Sequence, residues 1–259
     1  GYYALLKNTT GSNNTAIGRQ ALSQNVTGAS NTAVGYNALE VNTGDHNTAV
    51  GQGTLAANTS GDRNVAIGSQ TLDANTTGQY NTALGFNSLT SSTTASNNTA
   101  VGKDALALNT TGTANVAVGT FALDANTTGS YNFALGYNAL GANSTGEVNV
   151  AIANSLQSNT TGSSNVAVGS NTLDDNTSGN NNVAVGRQAL GDNTTADNNT
   201  GIGHHALKLN TTGTGNVAVG STTLAANSTG DYSVGVGYNC LATQTTGNRN
   251  VAVGTSALN

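Results

Sequence analysis

The tract Asn31-Thr32-Ala33-Val34-Gly35-Tyr36-Asn37-Ala38-Leu39 decides the fold, because close copies of it recur along the whole 259-residue chain. Its Gly opens a unit that is 17 residues long in thirteen intervals and 16 residues long in two. Numbered from that Gly, the consensus is Gly-x-x-(Ala/Thr)-Leu-x-x-Asn-Thr-Thr-Gly-x-x-Asn-(Thr/Val)-Ala-(Val/Ile/Leu). Self-similarity at a short fixed period is the signature of repeat architectures. Residues that share a place in the unit are called a column here, from column one to column seventeen.

Columns fifteen to seventeen have the composition of a β-strand. Thr, Val, Ile or Leu stands on either side of a small Ala, whereas the Gly, Asn and Thr elsewhere in the unit are poor helix formers. One unit cannot bury its own apolar residues, but units stacked about 4.8 Å apart share a continuous interior. The sequence therefore predicts an all-β, parallel β-solenoid (β-roll) of about 15 coils with a 17-residue repeat. Residues 1–259 are predicted to form a single continuous repeat array, on the order of 70 Å long.

The predicted interior consists of the aliphatic residues in columns five and seventeen. The Ala of column sixteen is expected to point away from this spine, either lining a second tight layer within the coil or packing against a neighbouring chain; a close seam between three chains is favoured, since a small outward residue suits it. The Asn residues of columns eight and fourteen are expected to form hydrogen-bonded ladders, as in stacked cross-β structures. The predicted structural spine comprises Ile17, Leu22, Val34, Leu39, Val50, Leu55, Ile67, Leu72, Leu84, Leu89, Val101, Leu106, Val118 and Leu123.

The composition excludes several classes of protein. A net charge of −5 with only seven Lys and Arg residues cannot supply the basic face that nucleic-acid binding needs. No apolar run is long enough to cross a membrane. The single cysteine, Cys240, excludes a disulfide framework and a Cys-based zinc site within one chain. Disorder is not expected either, because 36% of the residues are hydrophobic and they follow a regular pattern.

No column has the residues of a catalytic or metal site. His46, His204 and His205 lie in variable columns and are predicted to be surface residues, and the carboxylates lack a calcium-loop spacing. Cys240 replaces a small residue of column four, so we expect a buried structural thiol. The Asn residues of the Asn-x-Ser/Thr sequons are expected to face inward, without glycans. The sequence predicts no enzyme activity, no metal and no cofactor.

Several tracts resemble a known family. Asn64-Val65-Ala66-Ile67-Gly68, Asn115-Val116-Ala117-Val118-Gly119 and Asn250-Val251-Ala252-Val253-Gly254 are similar to the head repeats of YadA-type trimeric autotransporter adhesins. The tract at residues 31–39 is also similar to repeats of phage and viral tail fibres. The resemblance implies a left-handed parallel β-roll shared by three chains. This unit is longer by its Asn-Thr-Thr-Gly turn, and residues 1–259 contain no coiled-coil stalk, membrane anchor or fibre chaperone. We therefore expect a stretch of a longer fibre, uncapped at both ends.

These observations predict a non-enzymatic structural protein: the shaft or head of an extracellular, cell-surface or virion fibre or adhesin. The expected partners are further copies, as a homotrimer or filament, and a cell-surface receptor or glycan, with neither nucleic acid nor membrane insertion. Ice binding through the Thr of columns nine and ten and carbohydrate binding through outward Tyr remain alternatives. The candidate surface contacts are Tyr36, Tyr137 and Tyr238.

Overall fold

A computed structural model describes all 259 residues of the chain. It contains no helix, and its fifteen β-strands are each three residues long. The chain divides into two compact units, Gly1–Tyr131 and Asn132–Asn259. The first unit contains β1 (Thr15–Ile17), β2 (Thr32–Val34), β3 (Thr48–Val50), β4 (Val65–Ile67), β5 (Thr82–Leu84), β6 (Thr99–Val101) and β7 (Val116–Val118). The second contains β8 (Phe133–Leu135), β9 (Val150–Ile152), β10 (Val166–Val168), β11 (Val183–Val185), β12 (Thr200–Ile202), β13 (Val217–Val219), β14 (Val234–Val236) and β15 (Val251–Val253).

Within each unit, every strand pairs in parallel with the next strand along the chain. The register joins equivalent columns, so that Ala16 lies beside Ala33 in the first unit and Ala167 beside Ala184 in the second. Consecutive strands of one sheet are therefore one repeat apart in sequence. The prediction of an all-β, parallel β-solenoid with a repeat of about 17 residues is confirmed.

Sharp turns within each coil are made by residues with positive φ. The Leu of column five has a φ of 49° to 54° in every coil, and most residues of columns three and thirteen are also left-handed. Such a conformation disfavours residues with a Cβ, so the surrounding contacts must hold the backbone in place. The amide of Leu22, for example, donates to the carbonyl of Ala38 in the next coil over 3.0 Å. Hydrogen bonds between coils thus continue well beyond the strands.

Glycine suits column one for two reasons, and Ala153, with a φ of 72°, is the single replacement in that column. The Gly residues from Gly18 to Gly254 have a φ between 118° and 141°, which other residues rarely adopt. A Cβ on Gly18 would also lie 2.4 Å from the carbonyl oxygen of Gly35 in the next coil. In column eleven φ is not positive, and close approach alone explains the Gly. A Cβ on Gly28 would lie 2.4 Å from Oδ1 of Asn25.

The interior is built from Leu of column five and Ala of columns four and sixteen. All seven predicted Leu residues are completely buried, which confirms that half of the predicted spine: Leu22, Leu39, Leu55, Leu72, Leu89, Leu106 and Leu123. The Ala of column sixteen is buried as well, with no exposed surface at Ala33, Ala117 or Ala167. The favoured interpretation, an outward Ala at a seam between chains, was therefore wrong, and the alternative of a tight layer within the coil is what the structure shows.

The other half of the predicted spine lies on the outside. Because neighbouring residues of a strand point to opposite faces, an inward Ala places columns fifteen and seventeen outward. Leu side chains fill the narrow interior, which leaves room only for Ala from the strand. Seven predicted spine residues are therefore partly exposed or exposed, the most open being Ile17 at 60%; the others are Val34, Val50, Ile67, Leu84, Val101 and Val118.

Two buried columns of Asn connect the coils, as predicted. In column eight, Nδ2 of Asn176 donates to Oδ1 of Asn159 in the preceding coil over 2.8 Å and to the carbonyl of Gly179 over 3.1 Å. In column fourteen, the backbone amide of Asn182 donates to Oδ1 of Asn165 over 3.0 Å. These Asn side chains have no exposed surface. These buried amides are thus paired within the stack, which avoids the cost of an unsatisfied polar group.

The ladder of column eight is interrupted where the Asn is replaced. Ser92 and Gln244 occupy this column, and Oδ1 of the preceding Asn75 or Asn227 then has no hydrogen-bond partner. The hydroxyl of Ser92 is buried without a partner as well. These two positions are the weak steps of an otherwise continuous ladder.

Candidate interaction surface

In each unit the side chains of columns fifteen and seventeen point outward from the strands, and we call the surface that they form the strand face. It consists of the first and third residues of every strand, for instance Val65 and Ile67 of β4, which are 38% and 39% exposed. In the second unit, Leu135 of β8 and Val236 of β14 are also exposed. The strand face therefore places aliphatic side chains in solvent at every coil.

The strand face carries no charge in any of the fifteen strands. The seven Lys and Arg and the twelve Asp and Glu residues all lie in other columns. Surfaces of soluble proteins usually mix charges of both signs, and parallel sheets are usually covered on both faces. An uncharged, aliphatic, uncovered face of a parallel sheet has the features of an interaction site.

The two units differ in column fifteen. In the first unit this column is Thr in five of seven strands, whereas in the second it is Thr only in β12 among eight strands. The remaining strands of the second unit have Val, or Phe133 in β8. Column seventeen is aliphatic in both units. The strand face of the second unit is therefore the more apolar of the two.

The three Tyr residues predicted as surface contacts are exposed. Tyr36, Tyr137 and Tyr238 all lie in column two and are 43%, 64% and 61% exposed. In the first unit the guanidinium carbon of Arg19 lies 5.6 Å from the centre of the Tyr36 ring, a cation–π contact. Arg63 stands in the same relation to Tyr80, another exposed Tyr of the first unit.

In the second unit, the ring of Tyr232 lies over a glycine. Gly215 precedes Tyr232 by one coil in column thirteen, and a Cβ on it would lie 2.7 Å from the Tyr232 ring. The missing side chain therefore makes room for the ring. Tyr232 is nevertheless 58% exposed.

Sequence reasoning missed a role for column twelve. Its short polar side chains accept a hydrogen bond from the backbone amide of the preceding coil, which lies outside the strand pairing. Oδ1 of Asp62 accepts from the amide of Asp45 over 2.8 Å, and Oγ of Ser96 accepts from Gln79 over 3.0 Å. The frequent Asp, Asn and Ser in column twelve was the available signal, since these residues commonly bond nearby backbone groups.

The sequence analysis also missed a longer period of three coils. In column two an aromatic residue recurs every third unit, at Tyr36, Phe86, Tyr137 and Tyr238, with Arg187 at the remaining place. Tyr80, Tyr131 and Tyr232 occupy column thirteen just before three of these residues. The signal could have been found by aligning units three at a time instead of one at a time.

Thr hydroxyls of column nine are engaged along the stack. Oγ1 of Thr59 donates to the carbonyl of Thr76 in the next coil over 2.9 Å, and Thr160 donates in the same way to Thr177. These hydroxyl protons therefore stabilise the coils themselves. The ice-binding alternative, which relied on columns nine and ten, gains no support from this arrangement and stays untested.

Two histidines form a small cluster in the second unit. The rings of His204 and His205 stack with centroids 3.6 Å apart, and Arg187 lies within 2.8 Å of His204 Nε2. His205 Nε2 donates to Oε1 of Gln188 over 2.7 Å. Burial lowers the pKa of His205, and the neighbouring His204, Lys208 and Arg187 lower it further. His46 is exposed, whereas His204 and His205 are half-buried.

Other candidate chemistry is sparse. Burial raises the pKa of Asp124 and of Asp192, and a like charge adds to each shift, from Asp104 and Asp175 respectively. Cys240 is buried, as expected, with its thiol 3.3 Å from the carbonyl oxygen of Ala252. The structure contains no pocket, and nowhere do three or more His, Cys, Asp or Glu side chains come together in a group that could hold a metal ion. It also has no long apolar helix of the kind that crosses a bilayer.

No protein-family description matches this chain, and no curated protein sequence matches it.

Proposed function

We propose that the chain is a non-enzymatic structural segment of an extracellular, cell-surface or virion fibre, and that copies associate through their strand faces. The observation that carries this proposal is the strand face itself: outward aliphatic residues at every coil and not one charge. Exposed apolar surface of this extent is costly in water, and it is typical of a protein–protein interface.

A second copy is the partner that fits this face best. The strand face repeats once per coil, about every 4.8 Å, and a second copy carries the same repeat. Every aliphatic side chain can then meet an equivalent one along the whole contact. A partner without this period would match at a few coils and leave the others exposed.

The area of the strand face indicates how much surface an interface between copies would bury. The strands of the second unit offer a footprint of about 380 Å², against about 800 Å² per partner in a standard stable interface. Association through strands alone would therefore be weak for one unit. A stable contact needs more outward surface than the strands of one unit supply.

The proposed number of chains and the proposed location, outside the cell or on a virion, rest on the resemblance to trimeric adhesin heads and tail fibres. Three chains related by one axis would each bury one strand face. The stacked coils would then supply reach and rigidity, while the charged columns keep the outer surface soluble. The function would be mechanical, holding a binding element at a distance or presenting receptor or glycan contacts along the stack.

Sedimentation equilibrium on the purified chain tests the proposal. We expect a mass of three times 25.6 kDa, or another integral multiple. Val183→Lys, which places a charge on the strand face of the second unit, should return the mass towards that of a single chain. Thr161→Lys, an exposed change in column ten, outside the strands and the columns that flank them, is the matched control and should leave the mass unchanged. A wild-type chain that stays single at high micromolar concentration would refute the proposal.

A further inference from the structure

A uniform repeat creates a problem of register for any self-association. If every coil were identical, two copies could slide past each other by one coil, about 4.8 Å, and regain nearly the same contacts. Registers that are not specified by side chains are prone to slippage. A fibre segment that relies on strand faces therefore needs a feature with a period longer than one coil.

The structure has such a feature in its aromatic residues. Tyr80 and Phe86 flank β5 in the first unit, and Tyr232 and Tyr238 flank β14 in the second. In each pair the first residue lies in column thirteen and the second in column two, on the two sides of one strand. We call each pair an aromatic row. All four side chains are exposed, by 45% to 61%: Tyr80 51%, Phe86 45%, Tyr232 58% and Tyr238 61%.

The rows next to an aromatic row carry different side chains in the same two columns. The coil before Tyr232 and Tyr238 has Gly215 and Ser221, and the coil after has Arg249 and Thr255. In the first unit, Arg63 and Ser69 precede Tyr80 and Phe86. The size of the side chains at the edges of the strand face therefore differs from one coil to the next. In column two, aromatic residues recur every third coil, which corresponds to about 14 Å along the stack.

The aromatic side chains are also held in place. Tyr80 and Tyr232 have left-handed backbones, with φ of 58° and 53°, like the other residues of their column. The Tyr232 ring rests on Gly215, and the Tyr80 hydroxyl lies 3.3 Å from Nη1 of Arg63. Exposed Tyr residues on a fixed backbone lose little further freedom when a partner covers them, which suits an interface residue.

We propose that the aromatic rows set the axial register in which copies of this chain associate. The inference rests on the self-association proposed above and goes beyond it, because the strand face supplies contact while the aromatic rows select one offset. A slip of one coil moves Tyr232 and Tyr238 from the surface they pack against to that of a neighbouring row. The aromatic contacts are then lost, although the Val and Ile contacts of the strand face are regained.

The test measures register separately from association. Asp175 is exposed and lies outside the strand face, so Asp175→Cys in a Cys240→Ala background carries one spin label per chain. Pulsed electron resonance then gives the distribution of distances between labels on different copies. It is recorded for the parent, for Tyr232→Ser/Tyr238→Ser and for the matched control Arg249→Ser/Thr255→Ser, which changes the same columns one coil later. Sedimentation equilibrium on the same samples gives the mass.

We expect the parent and the control to give one narrow peak, and the Tyr double variant to give a distribution at least about twice as wide, since offsets differ by steps of one coil. The mass should remain that of the parent. An unchanged narrow peak at unchanged mass would overturn the register proposal and leave self-association standing. A single-chain mass for the Tyr variant alone would also overturn it, because the rings would then supply affinity. A single-chain parent would refute the proposed function itself.

Discussion

The interiors of the two units are built from the same residue types, whereas their strand faces differ. In both, column five is Leu, column sixteen is Ala or Gly, and columns eight and fourteen are almost always Asn. On the outside, β2 of the first unit reads Thr-Ala-Val and β11 of the second reads Val-Ala-Val. The difference shows where the constraint lies. The narrow interior admits one set of residues at every coil, whereas the outward columns are free to vary with what they contact.

The largest expected effect comes from the interior, and it should be equal in the two units. Leu106→Ala and Leu190→Ala each remove a completely buried side chain, so each should lower the free energy of unfolding by about 2 to 5 kcal/mol. The outward Val118→Ala and Val185→Ala should change it by less than about 1 kcal/mol in dilute protein. Denaturant unfolding of the four variants makes the comparison. Similar losses for Leu and Val would contradict the division into inside and outside.

A smaller effect is expected from repair of the Asn ladder. Ser92→Asn would give Oδ1 of Asn75 a donor and remove the buried, unpaired hydroxyl of Ser92, which should stabilise the first unit by about 1 to 3 kcal/mol. Gln244→Asn makes the corresponding repair beside Asn227 in the second unit. Thermal unfolding measures both. If neither variant gains stability, the ladder contributes less than its geometry indicates.

One outward residue of the second unit is in an unfavourable conformation. Val148 is 52% exposed in column thirteen with a φ of 58°, a left-handed conformation that a β-branched residue adopts only with strain. Val148→Asn should stabilise the chain by about 1 kcal/mol, because Asn tolerates this conformation. Leu209→Asn, at an exposed position without positive φ, is the control and should give no gain. Equal midpoints of thermal unfolding for Val148→Asn and wild type would count against strain at this position.

The smallest expected effect is a pH dependence of stability that differs between the two units. The folded pKa of His205 lies below its ordinary value of 6.5, chiefly through burial. A histidine whose pKa is lowered by folding stabilises the folded state fully above its ordinary pKa and loses that contribution as the pH falls towards the folded value. The second unit should therefore lose stability below about pH 6.5. His205→Gln should flatten this dependence, and His46→Gln in the first unit should not. Midpoints of thermal unfolding measured between pH 7.5 and pH 5 for the wild type and both variants test this prediction.

The repeat alone was enough to predict the fold, because a 17-residue period of Gly, Leu, Asn and strand-forming residues has few other ways to bury its apolar groups. The buried Leu22 and the Asn25 ladder followed from the same period. Val34 was assigned to the wrong face, and for Ala33 the seam between chains was favoured over the inner layer that the structure shows. Alternation along a strand shows that columns fifteen and seventeen share a face, but not which face is inside. Bulk decides that: Leu from column five fills the interior and leaves space only for Ala.

The surface was less predictable than the interior. The exposure of Tyr36 could be predicted because column two is variable in sequence. The backbone contact of Asp62 could not, since it depends on an amide of the preceding coil that becomes available only once the coils are stacked. The three-coil recurrence of Phe86 and Tyr238 was present in the sequence but is hidden when single units are compared.

The rate of thiol modification at the strand face tests the central claim most directly. Val183→Cys, in a Cys240→Ala background, places a thiol in column fifteen, and Thr161→Cys places one at an exposed position in column ten, outside the strands and the columns that flank them. As protein concentration rises through the range of association, the thiol at position 183 should become protected while the thiol at position 161 continues to react at its dilute rate. Equal rates at both positions in associated protein would show that the strand face remains in water, and would contradict the account.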